Sequence, residues 1–304
     1  MKYRKLGRTE LEVSPVALGS WVFGGEGWGD VDDAESEKVI KEAIDKGINF
    51  IDTAPIYGDG RAEKVIGKAL GGRRDEIIIA TKCGLEKKEK GIGANLSAKF
   101  IREEVERSLY RLNVDMIDLY QCHWPDPSTS LEETFDELKK IVSEGKVRYI
   151  GISNFSRDLL EKTAGMAPIQ SDQVEYSIFS RGIEEDLVPF CGENDVSILS
   201  YGSLGGGILS GKYKEPPRFP KGDARSFFYK YYNEQFWEKA RKAVTALEEI
   251  SAKRAVPTSS VAINWVLRKK EVASCIVGCR TLKQLDDNIK AMDWELTDEE
   301  VSTV

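Results

Sequence analysis

One histidine, His123, stands in a chain of 304 residues, and that scarcity removes every mechanism that passes a proton between two imidazoles. A metal would have to rest on carboxylates, and the strand ends offer only Asp52 and Asp59 for the purpose, too few for a hard-cation site. The expected metal set is empty. Five cysteines (Cys83, Cys122, Cys191, Cys275 and Cys279) are odd in number, scattered and free of any CxxC pair, which excludes a disulfide framework and a zinc site. They read as buried, reduced thiols. No apolar run approaches the ~18 residues that span a bilayer, and the MKYRKLGRTE start lacks the apolar core of a secretion signal, so a cytoplasmic location is expected. An excess of basic charge is missing as well: 44 Lys and Arg against 51 Asp and Glu leave a net charge of −7, which repels phosphate backbones and argues against nucleic-acid partners.

What is present is alternation. Short β-branched runs at 15–18, 49–53, 77–82, 116–123, 147–153, 171–174, 197–201 and 274–277 read as eight strands. Helical periodicity fills the intervals near 34–46, 62–70, 98–112, 131–143, 157–166, 184–194, 235–254 and 281–292, with an extra helix at 259–269. Asp33, Ser97 and Thr258 or Ser259 are the expected helix caps. In the third helix Phe100, Ile101, Val105, Leu109 and Leu112 form one apolar stripe. Runs such as IIIA and MIDLY are apolar at nearly consecutive positions, as in a parallel sheet covered on both faces.

Eight strand–helix units without a linker imply a single α/β domain over residues 1–304, a (β/α)8 barrel. A doubly wound sheet would carry GxGxxG in its first turn, and that motif is absent. Residues 3–5 and 12–13 form an expected hairpin that plugs the barrel bottom. Residues 202–233, with Pro216, Pro217, Pro220 and aromatics that include Phe219, Phe227, Phe228, Tyr229, Tyr231 and Tyr232, make a long loop after the seventh strand that reads as a lid. GGILSGKY (206–213) approaches a phosphate-binding P-loop, but Tyr213 replaces the required Ser or Thr, and GISNF lacks the second glycine of a nucleophile elbow.

Barrel enzymes work at the C-terminal ends of their strands. Asp52 ends the second strand, Tyr57 follows in DTAPIYGDG, Lys82 ends the third and His123 ends the fourth, so a carboxylate, a phenol, an ammonium and an imidazole converge on one mouth. A strand-end lysine also permits Schiff-base chemistry, as in a lyase or aldolase, and a nucleotide-sensing module without turnover is a third reading.

At this constellation the chain resembles the aldo-keto reductases. The resemblance is carried by LGRTELEVSPVALGSWVFGG, NFIDTAPIYGDGRAEKVIGKAL, Lys82 after IIIAT, DLYQCHWPDP, VRYIGISNF, DQVEYSIF, YGSLGGGILSGKY and VGCRTLKQLDDN, in order over nearly the whole chain. It implies a catalytic tetrad of Asp52, Tyr57, Lys82 and His123 that reduces aldehydes or ketones with NADP(H), Tyr57 giving the proton. Lys82 would lower the phenol pKa and Asp52 would hold Lys82 charged. The resemblance also implies cofactor contacts from Ser20, Trp21 and Asp52, and from Ser153, Asn154 and Gln173 on the nicotinamide carboxamide. Tyr201 would stack on the nicotinamide ring. Gly202, Ser203, Leu204, Gly205, Gly206 and Gly207 would carry the pyrophosphate, with Lys212 and Arg225 as charge partners. Gly278, Cys279, Arg280, Gln284 and Asn288 would receive the adenosine end, with Arg280 on a 2′-phosphate. Trp21, Phe23, Tyr57, His123 and Trp124 are the expected walls for a small-molecule carbonyl substrate. A glycine, Gly202, stands where many members have proline after the stacking aromatic.

Overall fold

The computed structural model describes residues 2–89 and 91–304. Two short strands, β1 (Arg4–Lys5) and β2 (Glu12–Val13), pair antiparallel near the start. The chain then lays down β3 (Val16–Gly19), β4 (Phe50–Asp52) and β5 (Ile78–Cys83), a second hairpin of β6 (Leu85–Lys88) and β7 (Gly91–Ala94), and finally β8 (Ile117–Cys122), β9 (Val147–Ser153), β10 (Ile169–Glu175), β11 (Ser197–Tyr201) and β12 (Val272–Gly278). All but the two hairpins are parallel and close into an eight-stranded barrel, β12 returning to β3 with Val277 opposite Leu18. This is the expected (β/α)8 architecture. The 85–94 hairpin has no counterpart in the sequence reading, because its polar, glycine-broken residues give no apolar alternation.

Helices α1 (Asp33–Asp45), α2 (Arg61–Leu70), α3 (Ala98–Leu112), α4 (Leu131–Ser143), α5 (Arg157–Ala164) and α6 (Leu187–Glu193) connect successive strands. The crossover from β11 to β12 carries α7 (Ala224–Phe228), α8 (Glu234–Arg254) and α9 (Thr258–Leu267), and α10 (Leu282–Ile289) and α11 (Asp298–Ser302) follow the last strand. No helix among the described residues is long and apolar enough to cross a membrane.

Helix α3 starts where the Ser97 hydroxyl accepts the Phe100 N–H and stops at Asn113, whose φ of 53° ends the helical ladder. Its buried face holds Ile101, Val105 and Leu112 as expected, but also Glu104 and Ser108, while Phe100 is half-buried beneath the Arg107 guanidinium. Polar residues enter this face because Glu104 accepts the Gly84 N–H at 2.7 Å and so anchors the chain where it leaves β5. Two caps differ from expectation. Asp32, not Asp33, accepts the Ala34 N–H and caps α1, and Pro257 occupies the cap position of α9, where its fixed φ suits a helix start.

Strand alternation divides the apolar residues into two layers. Phe50, Ala80, Leu119, Leu199 and Ala273 point into the barrel, where Leu6, Leu11 and Val13 of the first hairpin close the bottom. Each large side chain buried there contributes roughly 1.5–3 kcal/mol. The outer layer, with Cys83 and Cys122 among its members, packs the strands against the helices. All five thiols are free and buried. The bottom is full, so the C-terminal mouth alone is left for chemistry.

Within 202–233 the expected lid is more ordered than an irregular loop. A 3₁₀ stretch (Gly205–Ser210), α7 and a turn at Lys230–Tyr232 are tied together by edge-to-face contacts among Tyr213, Phe219 and Tyr232, with centroids 4.8–6.1 Å apart.

Candidate active site

The β4 backbone presents Asp52 inward at the barrel mouth, and β5 presents Lys82 beside it. The Lys82 ammonium donates to Asp52 Oδ2 at 2.7 Å, to the Thr53 carbonyl at 3.0 Å and to the Tyr57 hydroxyl at 3.2 Å. Its three protons are therefore all used. Tyr57 rides on a loop fixed by a backbone-to-backbone approach: a Cβ on Gly58 would lie 2.3 Å from the Gly24 carbonyl oxygen, so only glycine fits there. The His123 ring stands edge-on to the Tyr57 ring, with centroids 5.9 Å apart. The four residues of the expected tetrad thus meet.

Lys82 has no exposed surface. Burial alone would discharge it, but Asp52 first and Tyr57 next outweigh that and raise its pKa, so the ammonium stays charged. Burial, aided by Lys82, drops His123 well below its ordinary range, which makes the imidazole neutral. Tyr57 departs from the sequence expectation. Burial raises the phenol pKa and the opposing pull of Lys82 does not reverse it, Asp52 adding to the rise. The hydroxyl is therefore protonated near neutrality, a donor whose conjugate base would be born next to a fixed positive charge.

Opposite this group, on β9 and β10, lies a second polar set. Gln173 donates to Asp52 Oδ1 at 2.7 Å, and Gln121 lies 3.4 Å from the same oxygen. Asn154, held at a φ of 63°, donates to the His123 carbonyl and to Ser153 Oγ and accepts the Tyr201 hydroxyl at 2.8 Å. Beyond β11, Gly206 and Gly207 also lie in the left-handed region, where a Cβ on Gly206 would strike the Tyr229 ring at 2.6 Å. The cleft encloses about 1290 Å³ and runs from Leu85 and Ile92 past Tyr57 to Arg280 and Asn288. Two buried polar atoms facing it, Ser20 Oγ and Trp28 Nε1, have no partner. Unpaired donors, a glycine-lined bend and a volume exceeding that of a drug-sized pocket fit a dinucleotide lying along the β11–β12 side.

The family model for the aldo/keto reductase family matches residues 15–304. This chain belongs to the aldo-keto reductase family. It is 37% identical to aldo-keto reductase YhdN of Bacillus subtilis over 99% of this chain and 91% of that protein. An aldo-keto reductase of Schizosaccharomyces pombe whose name specifies NADP(+) is 35% identical over 91% of this chain and 83% of its own length. The NADH-specific methylglyoxal reductase of Escherichia coli is 33% identical over 98% and 95%. Among solved structures, a glycerol dehydrogenase from Gluconobacter oxydans aligns with a TM-score of 0.91 at 36% identity, covering 99% of this chain and 93% of that one. The protein is an oxidoreductase of the nicotinamide-dependent, carbonyl-reducing type.

Within this aldo-keto reductase most of the expected site residues line the cleft, and four do not: Lys82 is wholly buried against Asp52 and Tyr57, and Phe23, Cys279 and Gly205 are covered too. Phe23 is packed in the outer core with 1% exposure, because the turn at Trp21–Gly24 points it inward under α2, so it is no substrate wall. Cys279 faces Asn288 in the interior, and Gly205 is covered by Ile208 and Tyr231. Arg225 is held by Asp223 through two hydrogen bonds (2.8 and 2.6 Å), and Arg280 donates to the Trp28 and Asp30 carbonyls at 2.9 and 2.5 Å. Sequence reasoning missed Gln121, Trp28, Ile92 and Phe227. Gln121 could have been found, since it shares the inward face of β8 with Leu119 and His123.

Proposed function

We propose that this aldo-keto reductase interconverts aldehydes or ketones and alcohols with NADP(H), using Tyr57 as the proton donor. The observation that carries the reading is the buried Lys82 ammonium, fixed between the Asp52 carboxylate and the Tyr57 hydroxyl. When bound, the reduced nicotinamide supplies the hydride. Tyr57 supplies the proton to the carbonyl oxygen, Lys82 steadies the phenolate left behind, and Asp52 keeps Lys82 charged through the exchange. Neutral His123 donates a hydrogen bond to the same oxygen. Ser153, Asn154 and Gln173 hold the carboxamide: the Gln173 nitrogen is committed to Asp52, and its oxygen faces the cleft. Tyr201, Ser20 and Trp21, which line the same part of the cleft, would hold the nicotinamide ring.

NADP(H) is favoured over NAD(H) because Lys212, Arg225, Arg280 and Lys283 all border the cleft, the last two at the start of α10. The names of the relatives divide on this point, and the cations bordering the cleft support the NADP(H) reading. A Schiff base on Lys82 is disfavoured, since it needs an uncharged, reachable amine. The test is cofactor consumption over a panel of aldehydes and ketones with NADPH and NADH. Faster NADPH oxidation supports the assignment. NADPH binding without turnover of any carbonyl would make the chain a sensor and withdraw it.

A further inference from the structure

The buried face of α2 is built from Ala62, Val65, Ile66, Ala69 and Leu70, and among them stands Glu63, an acid with no exposed surface. Its burial is costly. Loss of solvent lifts the carboxyl above the ordinary glutamate range, and the hydrogen bond from Thr81 and the charge of Arg111 do not reverse the rise. A methionine of similar volume would fill the same place between α2 and the barrel without that cost, so packing alone does not call for an acid.

Glu63 reaches toward both members of the tetrad that must meet. Its Oε1 accepts the Thr81 hydroxyl at 2.8 Å, and Thr81 immediately precedes Lys82 on β5. Strand alternation turns Thr81 outward to the helices and Lys82 inward to the mouth, so this bond pins the backbone from which the ammonium extends. On the other side of Lys82, Glu104 of α3 holds the Gly84 N–H. Glu63 Oε2 accepts from Arg111 Nη1 of α3 at 3.2 Å. That guanidinium lies across Gly60, where a Cβ would come within 2.4 Å of Arg111 Nε, and Gly60 ends the loop that carries Tyr57. The Tyr57 carbonyl accepts the N–H of Ala62, the neighbour of Glu63, at 3.3 Å. The contact between Lys82 and Tyr57 is itself 3.2 Å, at the long end for such a bond, and a shift of ~0.5 Å on either side would open it.

Resting on the reductase reading, we propose that Glu63 is a positioning residue for the reaction: through Thr81 and Arg111 it sets the distance between the Lys82 ammonium and the Tyr57 hydroxyl. It stands behind the barrel wall, away from the residues that line the cleft. Losing this brace slows the chemical step and leaves cofactor binding as it was.

The experiment compares Glu63→Met, Thr81→Val, their double variant and Glu63→Gln in single-turnover reduction of an aldehyde by the NADPH-loaded enzyme, with NADPH affinity and thermal unfolding followed on the same samples. Glu63→Met and Thr81→Val each remove one partner of the buried bond and should slow the step at least ~10-fold, with affinity within about twofold. Where one of them does not fold, the other breaks the same bond from its opposite side. Glu63→Gln keeps an acceptor for Thr81 and should stay within about threefold of the parent. The double variant separates positioning from stability: with both polar groups gone its Tm should recover toward the parent, while its rate stays at least ~10-fold low. A rate that recovers together with Tm, or single variants within about twofold of the parent, overturns the proposal. The ring signals of His123, which stands edge-on to Tyr57, give a readout that needs no turnover. They should move in Glu63→Met and Thr81→Val and hold in Glu63→Gln, and signals unmoved in all three overturn the brace. A parent that binds NADPH yet reduces no carbonyl overturns the reductase reading, and the His123 signals then decide the brace on their own.

Discussion

Gln173 donates its side-chain amide to Asp52 across the barrel mouth, from the sixth barrel strand to the second, at 2.7 Å. The other oxygen of the same carboxylate holds Lys82, also at 2.7 Å. The side chain assigned to the carboxamide therefore also braces the group that keeps Lys82 charged. Replacing Gln173 with Leu leaves a buried carboxylate oxygen short of its donor and should cost about 1.5–3 kcal/mol of stability near neutral pH. Urea denaturation of variant and parent measures it. Agreement within about 0.5 kcal/mol would mean that Gln121 alone satisfies Asp52.

His123 gives a spectroscopic test that few enzymes allow, since the chain has no other imidazole to overlap its signals. Burial and Lys82 hold it well below the usual 6.5, so it is neutral in the folded protein while an unfolded chain would protonate it below about pH 6.5. The unfolded state then binds the extra proton, and this group lowers stability as pH falls through that range. NMR of the ring should show no titration between about pH 5.5 and pH 8. A midpoint near 6.5 would put a charged imidazole in the site and change its role.

Asp172 behaves oppositely. It is wholly buried on the outward face of β10, neither oxygen has a hydrogen-bond partner, and burial lifts its pKa to about 8. The folded protein therefore keeps a proton that the unfolded chain loses above about pH 4, and stability falls as pH rises from there to about 8. Asp172→Asn removes that dependence. Its stability relative to the parent should improve with pH over this window, on the order of a few kcal/mol in all, as read from thermal unfolding at several pH values. Parallel curves for the two proteins would mean that Asp172 ionises without penalty.

Arg280 links two ends of the cleft. Its guanidinium holds the Gly25–Asp30 loop through two carbonyls, and it stands immediately before the first turn of α10. Binding a 2′-phosphate would exchange those carbonyls for a charged acceptor. Arg280→Ala should weaken NADPH by roughly 10- to 100-fold and leave NADH nearly unchanged in fluorescence titrations. Equal losses would assign Arg280 to the loop and withdraw the NADP(H) preference.

The barrel and the tetrad were legible because both depend on strand periodicity, which the chain displays openly at IIIATK and DLYQCH. Lys82 and His123 end apolar runs, and a charged or polar residue in that position is conspicuous. What was not legible depends on contacts between distant segments. The pairing of Gln173 with Asp52 spans 121 residues, and the upward pKa of Tyr57 follows from burial that the DTAPIYGDG segment does not reveal. Phe23 illustrates the converse: its place after Trp21 suggested a pocket wall, but a single 3₁₀ turn rotates it into the core. The 85–94 hairpin escaped because strands exposed on both faces carry no hydrophobic alternation.

The central claim is that Tyr57, protonated and set against a fixed ammonium, delivers the proton. Tyr57→Phe keeps the ring that stacks on Trp21 and removes only the hydroxyl held by Lys82. The decisive measurement is single-turnover reduction of an aldehyde by the NADPH-loaded variant, with NADPH affinity determined on the same sample. The account predicts a rate at least ~10²-fold below the parent with affinity within about twofold. A rate matching the parent would contradict it and require another proton donor.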